Sequence, residues 1–277
     1  PEGTLIRARS WLEIASCDFG GWSAIQSCRR AAESADIIQM HYPWPFADML
    51  MPFIKKKGQP LIVTYVSDIV RQRGLENLYA PLRKHLLNSA DRIVASSPNY
   101  ADSSEVLQQY KNKLTCIPHC LGLGEDSPSQ LLNYWQQRLG NDFFLFVGVL
   151  RYYKGLDFLL AAAEKTQSRI VVVGDGPEGN RLKKIAKERK LDNLVLLGAL
   201  PDPDKFSLYD LCRAVVFPSH LRSEAFGITL LESARAAKPM ITCEIGTGTT
   251  WVNRHMETGL VIPPEDSEAL AHAINQL

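Results

Sequence analysis

"FFLFVGVLRYYKGLDFLLAAAE", residues 143–164, is the stretch on which the fold turns. A short apolar run ends at Gly148, Arg151 and Lys154 follow in a brief loop, and the loop opens onto a helical pattern. A strand delivered into a helix is the first half of a βαβ unit, and such units build parallel sheets covered on both faces.

The rhythm repeats outward from there. Downstream, "RIVVVGDG", "NLVLLGAL", "AVVFPS", "PMITCEI" and "GLVIPP" are strand candidates, each followed by a helix or loop. Upstream, "ADIIQMHY", "PLIVTYV", "RIVASS" and "KLTCIPH" alternate with helical stretches around residues 46–57, 74–89 and 100–110. Between the halves, "CLGLGEDSPSQ" (120–130) is rich in Gly, Ser and acid and reads as a linker. The expected architecture is α/β, with two Rossmann-like domains facing across a cleft, residues 1–125 and 126–277. In such sheets, ligands bind beyond the carboxyl ends of the strands.

Composition agrees with an ordinary globular protein: 277 residues, 45% hydrophobic and 22% charged. A formal net charge of +1 gives no sequence-wide reason to expect nucleic acid as a partner. No apolar run approaches the ~20 residues that span a bilayer, and nothing at the start resembles a signal peptide. The six cysteines (Cys17, Cys28, Cys116, Cys120, Cys212, Cys243) are scattered without a CxxC pair, as expected of reduced thiols in the cytoplasm. Cys116, His119 and Cys120 are too few for a closed zinc site. Pro1 is not an initiator residue, and "SEALAHAINQL" stops inside an amphipathic pattern without a C-cap, so a fragment of a longer protein is expected.

The stretch "SEAFGITLLESARAAKPMI" (223–241) places two carboxylates, Glu224 and Glu232, eight positions apart in an apolar, small-residue setting. Glu224 falls in the loop after "AVVFPS", and "FGITLLESARAA" begins the next helix. If all eight steps were helical, the two would lie roughly 12 Å apart on one side of it. Two readings stand side by side. The carboxylates accept hydroxyl pairs at the two ends of a nucleotide sugar, or they cap and ion-pair the helix. Arg151 and Lys154 at a helix start suit a diphosphate. The Gly-rich turn Gly174-Asp175-Gly176 lets backbone approach a nucleotide, although Gly and Asp also mark any tight turn.

Together, "FVGVLRYYKGL", "VVVGDGP", "FPSHLRSEAFGITLLE" and "ETGLVIPPEDSEAL" resemble the donor-binding domain of retaining GT-B glycosyltransferases of family 4. "HYPWPFADM", "YVSDIVRQRGLENLYAPLRKHLLNSADRIVASSPNYADSS" and "CIPHCLG" resemble the acceptor-side domain of the same family. "YYKG" and "EIGTGTTWVN" point to bacterial mannosyltransferases of cell-surface polysaccharide assembly. The resemblance implies transfer of a hexose, mannose first, from a GDP- or UDP-linked sugar to a glycan or lipid-linked acceptor, with retention and without metal or cofactor.

Carried over by position, Lys154 matches the diphosphate lysine, Glu224 the carboxylate on donor-sugar hydroxyls and Glu232 the one on the ribose. Gly148, Gly174, Asp175, Gly176, Phe226, Gly227 and Ile228 complete the donor side, with Arg151 beside Lys154. The family also begins with a βαβ unit bearing a Gly-rich loop and ends with a helix that crosses back; neither is visible in this sequence. Two positions depart from the pattern. Val149 stands where relatives carry Arg after the strand-end Gly, and Val66 stands where they carry the His of an "HSD" triplet. These departures keep a non-catalytic sugar-nucleotide-binding or scaffold protein as an alternative; a GT-B sugar-nucleotide epimerase is the rival enzyme of the same fold.

On the acceptor side, His41 and Asp68 are candidate contacts; packing and helix capping are their plainer readings. Asp202 and Asp204 form a D-x-D at a helix start, where capping is expected rather than a metal. The basic tract from Lys55 to Arg92 reads as a solvated face or, more sharply, as a peripheral contact with an anionic membrane.

Overall fold

The computed structural model describes residues 3–14, 17–69, 73–122 and 127–277. The chain divides into two compact units, Pro1–Pro118 and His119–Leu277. The division falls ahead of the expected boundary at residue 125, because the chain after Pro118 already belongs with the second unit; residues 123–126 of the expected linker lie outside the described residues.

The first unit holds β1 (Ser10–Ile14), β2 (Cys17–Gly20), β3 (Ile38–Tyr42), β4 (Leu61–Tyr65), β5 (Arg92–Ala95) and β6 (Leu114–Cys116). β3 to β6 pair in parallel in chain order, at the four stretches the sequence marks as strands. β1 and β2 form a separate antiparallel pair, and the helix Trp22–Ser34 follows it; the sequence reading assigned neither. The later helices run Pro45–Ile54, Arg73–Ser89 and Pro98–Ser103. The first stops at Ile54 because Lys55 turns extended, and the third stops short of residue 110 because Ser104 does the same. Ser97 caps the third, accepting from the Tyr100 amide at 3.1 Å, with Pro98 at the first helical position.

The second unit holds β7 (Phe143–Val147), β8 (Arg169–Val173), β9 (Leu194–Gly198), β10 (Ala214–Phe217), β11 (Met240–Cys243) and β12 (Gly259–Ile262), again at the expected positions. They form one parallel sheet in the order β12-β11-β10-β7-β8-β9. Side-chain alternation sends Phe143, Leu145 and Val147 to one face, against Trp135, Leu208 and Tyr209. It sends Phe144 and Phe146 to the other, against Leu156, Leu160 and Ile274. Both faces are therefore covered, which is why the strands read as continuous apolar runs. Strand order reverses between β7 and β10, and the crevice beyond the carboxyl ends at such a switch point is where open α/β sheets bind ligands. The loops carrying Lys154 and Glu224 leave from these two strands.

In the first unit, the helix Pro45–Ile54 carries a single ionisable residue, Asp48, which is fully buried. Tyr79 donates its hydroxyl to the Asp48 carboxylate. Burial pushes the carboxyl up to about 7, and a main-chain hydrogen bond at Trp44 offsets this only in part. The folded chain thus holds this proton to about pH 7, whereas the unfolded chain releases it near 3.8. The stability Asp48 contributes is full below the unfolded value and is lost as pH rises through the folded one. Within that window, wild-type stability should fall relative to Asp48→Asn by roughly 1.4 kcal/mol per pH unit. Urea midpoints of the two proteins measured against pH check this; parallel profiles would contradict it.

Candidate functional site

The loop after β7 is shaped by two glycines. Gly155 has φ +69°, and a Cβ there would meet the Pro218 carbonyl oxygen at 1.9 Å, so only glycine lets this loop close on the one after β10. Gly174 has φ +138°, and its Cβ would sit 1.9 Å from the Gly148 carbonyl oxygen. Backbone bonds then knit the loops together. The Gly148 amide donates to Val173 at 3.0 Å, Leu150 to Asp175 at 3.0 Å, and His220 to Tyr153 at 3.0 Å. Gly148, Gly174, Asp175 and Gly176 are thus brought to one edge with Lys154. Asp175 is exposed, and its Oδ1 accepts from the Gly176 amide at 2.7 Å.

Lys154 ends a 3₁₀ turn, Tyr152–Lys154, and is 8% exposed. Its Nζ lies 2.5 Å from Glu224 Oε2, which also accepts from Ser219 Oγ at 3.0 Å. The Phe217 ring lies 4.7 Å from the same Nζ. Glu224 is likewise 8% exposed. Burial raises the neighbouring Tyr153 phenol, and the Glu224 charge adds to it.

Beyond Glu224 the chain enters the helix Ile228–Arg235 through Gly227, with no side chain capping its first turn. Its opening amides therefore carry the partial positive charge of the helix dipole. Phe226 is buried there, 5.0 Å from the His119 ring and 6.1 Å from Trp251, and the Ala225 carbonyl accepts from Gly248 at 2.8 Å. Ile228 is about half exposed. Because the helix begins at Ile228, Glu224 lies in the loop before it, as expected, and only part of the eight-residue spacing to Glu232 is helical.

Glu232 has its own partners. Lys205 Nζ donates to Oε1 at 2.8 Å and Tyr209 OH to Oε2 at 2.8 Å. Lys205 also pairs with Asp202 at 2.9 Å, and these acids hold its ammonium up despite the opposing burial. Burial first, then Glu232, raises the Tyr209 phenol. Asp204 instead accepts from the Trp135 indole at 2.9 Å. The capping expected of the D-x-D is not found: no side chain caps this helix, and Asp202 and Asp204 turn to different partners.

Arg151 is exposed, with no ion pair or side-chain hydrogen bond among the described residues, and Val149 is half exposed beside it. On the first unit, His41 is exposed at the end of β3. Asp68 Oδ1 accepts from Tyr65 OH at 2.9 Å and Ser104 Oγ at 3.0 Å, and its amide donates to Tyr100 OH at 2.5 Å. Sequence reasoning missed Ser219, Lys205 and Tyr209, and weighed His119 only as a metal ligand.

A buried ion pair with one member removed leaves an uncompensated charge, costing about 3–5 kcal/mol. Glu224→Ala should destabilise the chain by that order. Lys154→Met combined with Glu224→Gln should cost clearly less than the sum of the two single changes. A double-mutant cycle from urea unfolding tests this, and additive losses would contradict the pair's coupling.

Residues 131–277 match the profile of Glycosyl transferases group 1, and residues 10–123 that of Glycosyltransferase Family 4. The O-antigen chain mannosyltransferase C of Escherichia coli is 48% identical over 274 residues, covering 99% of this chain and 73% of that protein. The D-rhamnosyltransferase WbpZ of Pseudomonas aeruginosa PAO1 is 49% identical over 275 residues, covering 98% and 71%. Among solved structures, Anabaena Alr3699/HepE in complex with UDP-glucose aligns at TM-score 0.73 and 22% identity, over 91% of this chain and 71% of that one. Sucrose-phosphate synthase of Thermosynechococcus elongatus aligns at TM-score 0.76 and 20% identity, over 98% and 73%. These two likenesses speak for the fold, the expected GT-B class. With profiles matched in both halves and relatives nearly half identical along almost the whole chain, the protein belongs to the group 1 glycosyl transferases.

Proposed function

We propose that the protein transfers a hexose, mannose first among candidates, from a GDP- or UDP-linked sugar to a glycan or lipid-linked acceptor in polysaccharide biosynthesis. Retention at the anomeric carbon and independence of metal are part of the proposal. The observation that carries it is the buried Lys154–Glu224 pair at the β7/β10 switch point, beside an uncapped helix start. Similarity to an O-antigen mannosyltransferase and a D-rhamnosyltransferase supports the substrate class.

The pair is already arranged for exchange. A diphosphate offers Lys154 a better-charged partner, and Glu224, once released, accepts hydroxyls of the donor sugar. Departure of the nucleoside diphosphate is the difficult step. Lys154, the exposed Arg151 and the amides of Phe226, Gly227 and Ile228 stabilise the negative charge that develops. Glu232 takes the ribose, oriented by Lys205 and Tyr209, which hold one carboxylate oxygen each. No side chain is assigned as nucleophile. On the first unit, His41 and Asp68 serve the acceptor.

A second reading, donor binding without turnover, draws on Val66 and Val149. Incubation with GDP- and UDP-sugars, followed for nucleoside diphosphate release with and without acceptor, separates the two. Release that depends on acceptor and survives chelation is expected; loss on chelation with rescue by manganese would overturn metal independence. Lys154→Ala should lose the thermal shift given by donor and about a hundredfold in rate. An unchanged shift would remove Lys154 from the donor site.

A further inference from the structure

We propose that Trp251, Phe226 and His119 form a platform in the second unit for a pyranose ring of the acceptor. The proposal rests on the donor reading of the β7/β10 rim. Trp251 follows β11 on the short helix Thr249–Val252 and is 38% exposed. It tilts against the buried Phe226 at 6.1 Å, and the exposed His119 meets the same phenyl ring edge-on at 5.0 Å. Among the described residues, neither the Trp251 indole N–H nor either His119 ring nitrogen has a hydrogen-bond partner.

The loop that presents Trp251 is pinned along its length. Glu244 accepts from the Gly246 amide at 2.9 Å and from Thr250 Oγ1 at 3.2 Å, and Arg222 donates to the Gly246 carbonyl at 3.0 Å. A Cβ on Gly248 would meet Phe226 Cδ2 at 2.6 Å, so the loop lies directly on the phenyl ring. Just past the helix, the fully buried Asn253 donates to Thr242 Oγ1 at 2.9 Å and to the Leu260 carbonyl at 3.0 Å. An exposed indole on so fixed a loop is held ready for a ligand and has little ordering left to lose on binding.

The class of ligand follows from the rings. A pyranose has a face of C–H bonds edged by hydroxyls. Its C–H face lies on an aromatic ring, while its hydroxyls meet the indole N–H and the imidazole nitrogens.

Which sugar this is follows from strand order. Along the rim the strands run β9, β8, β7, β10, β11. In the donor reading the first four are taken in turn. Lys205 and Tyr209, on the helix after β9, hold the ribose carboxylate Glu232. The turn 174–176 after β8 and Lys154 after β7 take the nucleotide and its diphosphate, and Glu224 after β10 takes the hexose. The next loop along the rim is the one that carries Trp251. A sugar ring lying beyond the donor hexose is the acceptor's.

The test is saturation-transfer NMR on the full chain, with and without saturating GDP or UDP. The probes are methyl α-D-mannopyranoside, methyl α-D-rhamnopyranoside and methyl N-acetyl-β-D-glucosaminide. Wild type is expected to saturate the C–H protons on one ring face of at least one probe. Trp251→Ala should weaken binding of that probe on the order of tenfold, and Trp251→Phe, which keeps an aromatic face, should recover most of it. His119→Phe keeps the edge contact but removes the nitrogens, and should weaken binding roughly fivefold. All three variants should keep wild-type circular dichroism and wild-type thermal shifts with nucleoside diphosphates and nucleotide sugars.

The proposal is overturned if wild type saturates none of the probes, if Trp251→Ala binds as wild type does, or if Trp251→Phe recovers nothing. It is also overturned if Trp251→Ala abolishes the thermal shift that a nucleotide sugar gives beyond its nucleoside diphosphate, since the ring on the platform is then the donor's. Failure of the donor reading shows elsewhere, as a Lys154→Ala protein whose thermal shift with donor is unchanged.

Discussion

An ammonium and a carboxylate held 2.5 Å apart, each about a tenth exposed, are expensive to bury, and the second unit is built around that expense. Strand order places the loops that carry the two after neighbouring strands, β7 and β10, at the point where the order of the parallel strands reverses. Gly155 lets their loops meet with no room for a Cβ between them. Ser219 supplies a further hydrogen bond to the carboxylate, and Phe217 an aromatic face to the ammonium. A charged pair so supported holds its own geometry, and in the proposed mechanism it exchanges for another charged partner of the right shape. That combination suits a site for an activated sugar better than it suits a purely structural bridge.

The rest of the proposed donor rim follows the same logic of side chains held by their neighbours. Glu232 has one donor on each carboxylate oxygen, so its orientation is set by the helix Asp202–Leu211 rather than by its own helix alone. Arg151, in contrast, is exposed and unpaired among the described residues, and is therefore the cation most at liberty to follow a ligand.

What could be read from the sequence was what is local. The strands of the second unit and the four parallel strands of the first announce themselves as short β-branched or apolar runs bounded by turn residues, most clearly where both faces are buried, as in β7, β8, β10 and β11. The glycines at the ends of β7 and β8 and the cations after β7 were legible for the same reason. Lys205 and Tyr209 were not, since they reach Glu232 from 27 and 23 positions upstream and nothing in the local pattern records that approach. The pairing of Lys154 with Glu224 spans 70 positions and was equally hidden, although both residues were named. That Glu224 precedes the helix and Glu232 lies within it was legible, whereas the exact start at Ile228, after Gly227 in the left-handed region, was not. The strands β1 and β2 went unassigned because they are short and pair only with each other. The exposure of Trp251 was invisible for a different reason: an apolar residue in sequence looks the same whether it faces the core or water.

The central claim is that the Lys154–Glu224 pair opens to receive the donor. A crystal structure with an intact nucleoside-diphosphate sugar bound tests it most directly. Lys154 Nζ should then lie on a phosphate oxygen, with the Glu224 carboxylate turned to hydroxyls of the sugar. A donor bound elsewhere, with the pair still closed, would contradict the account.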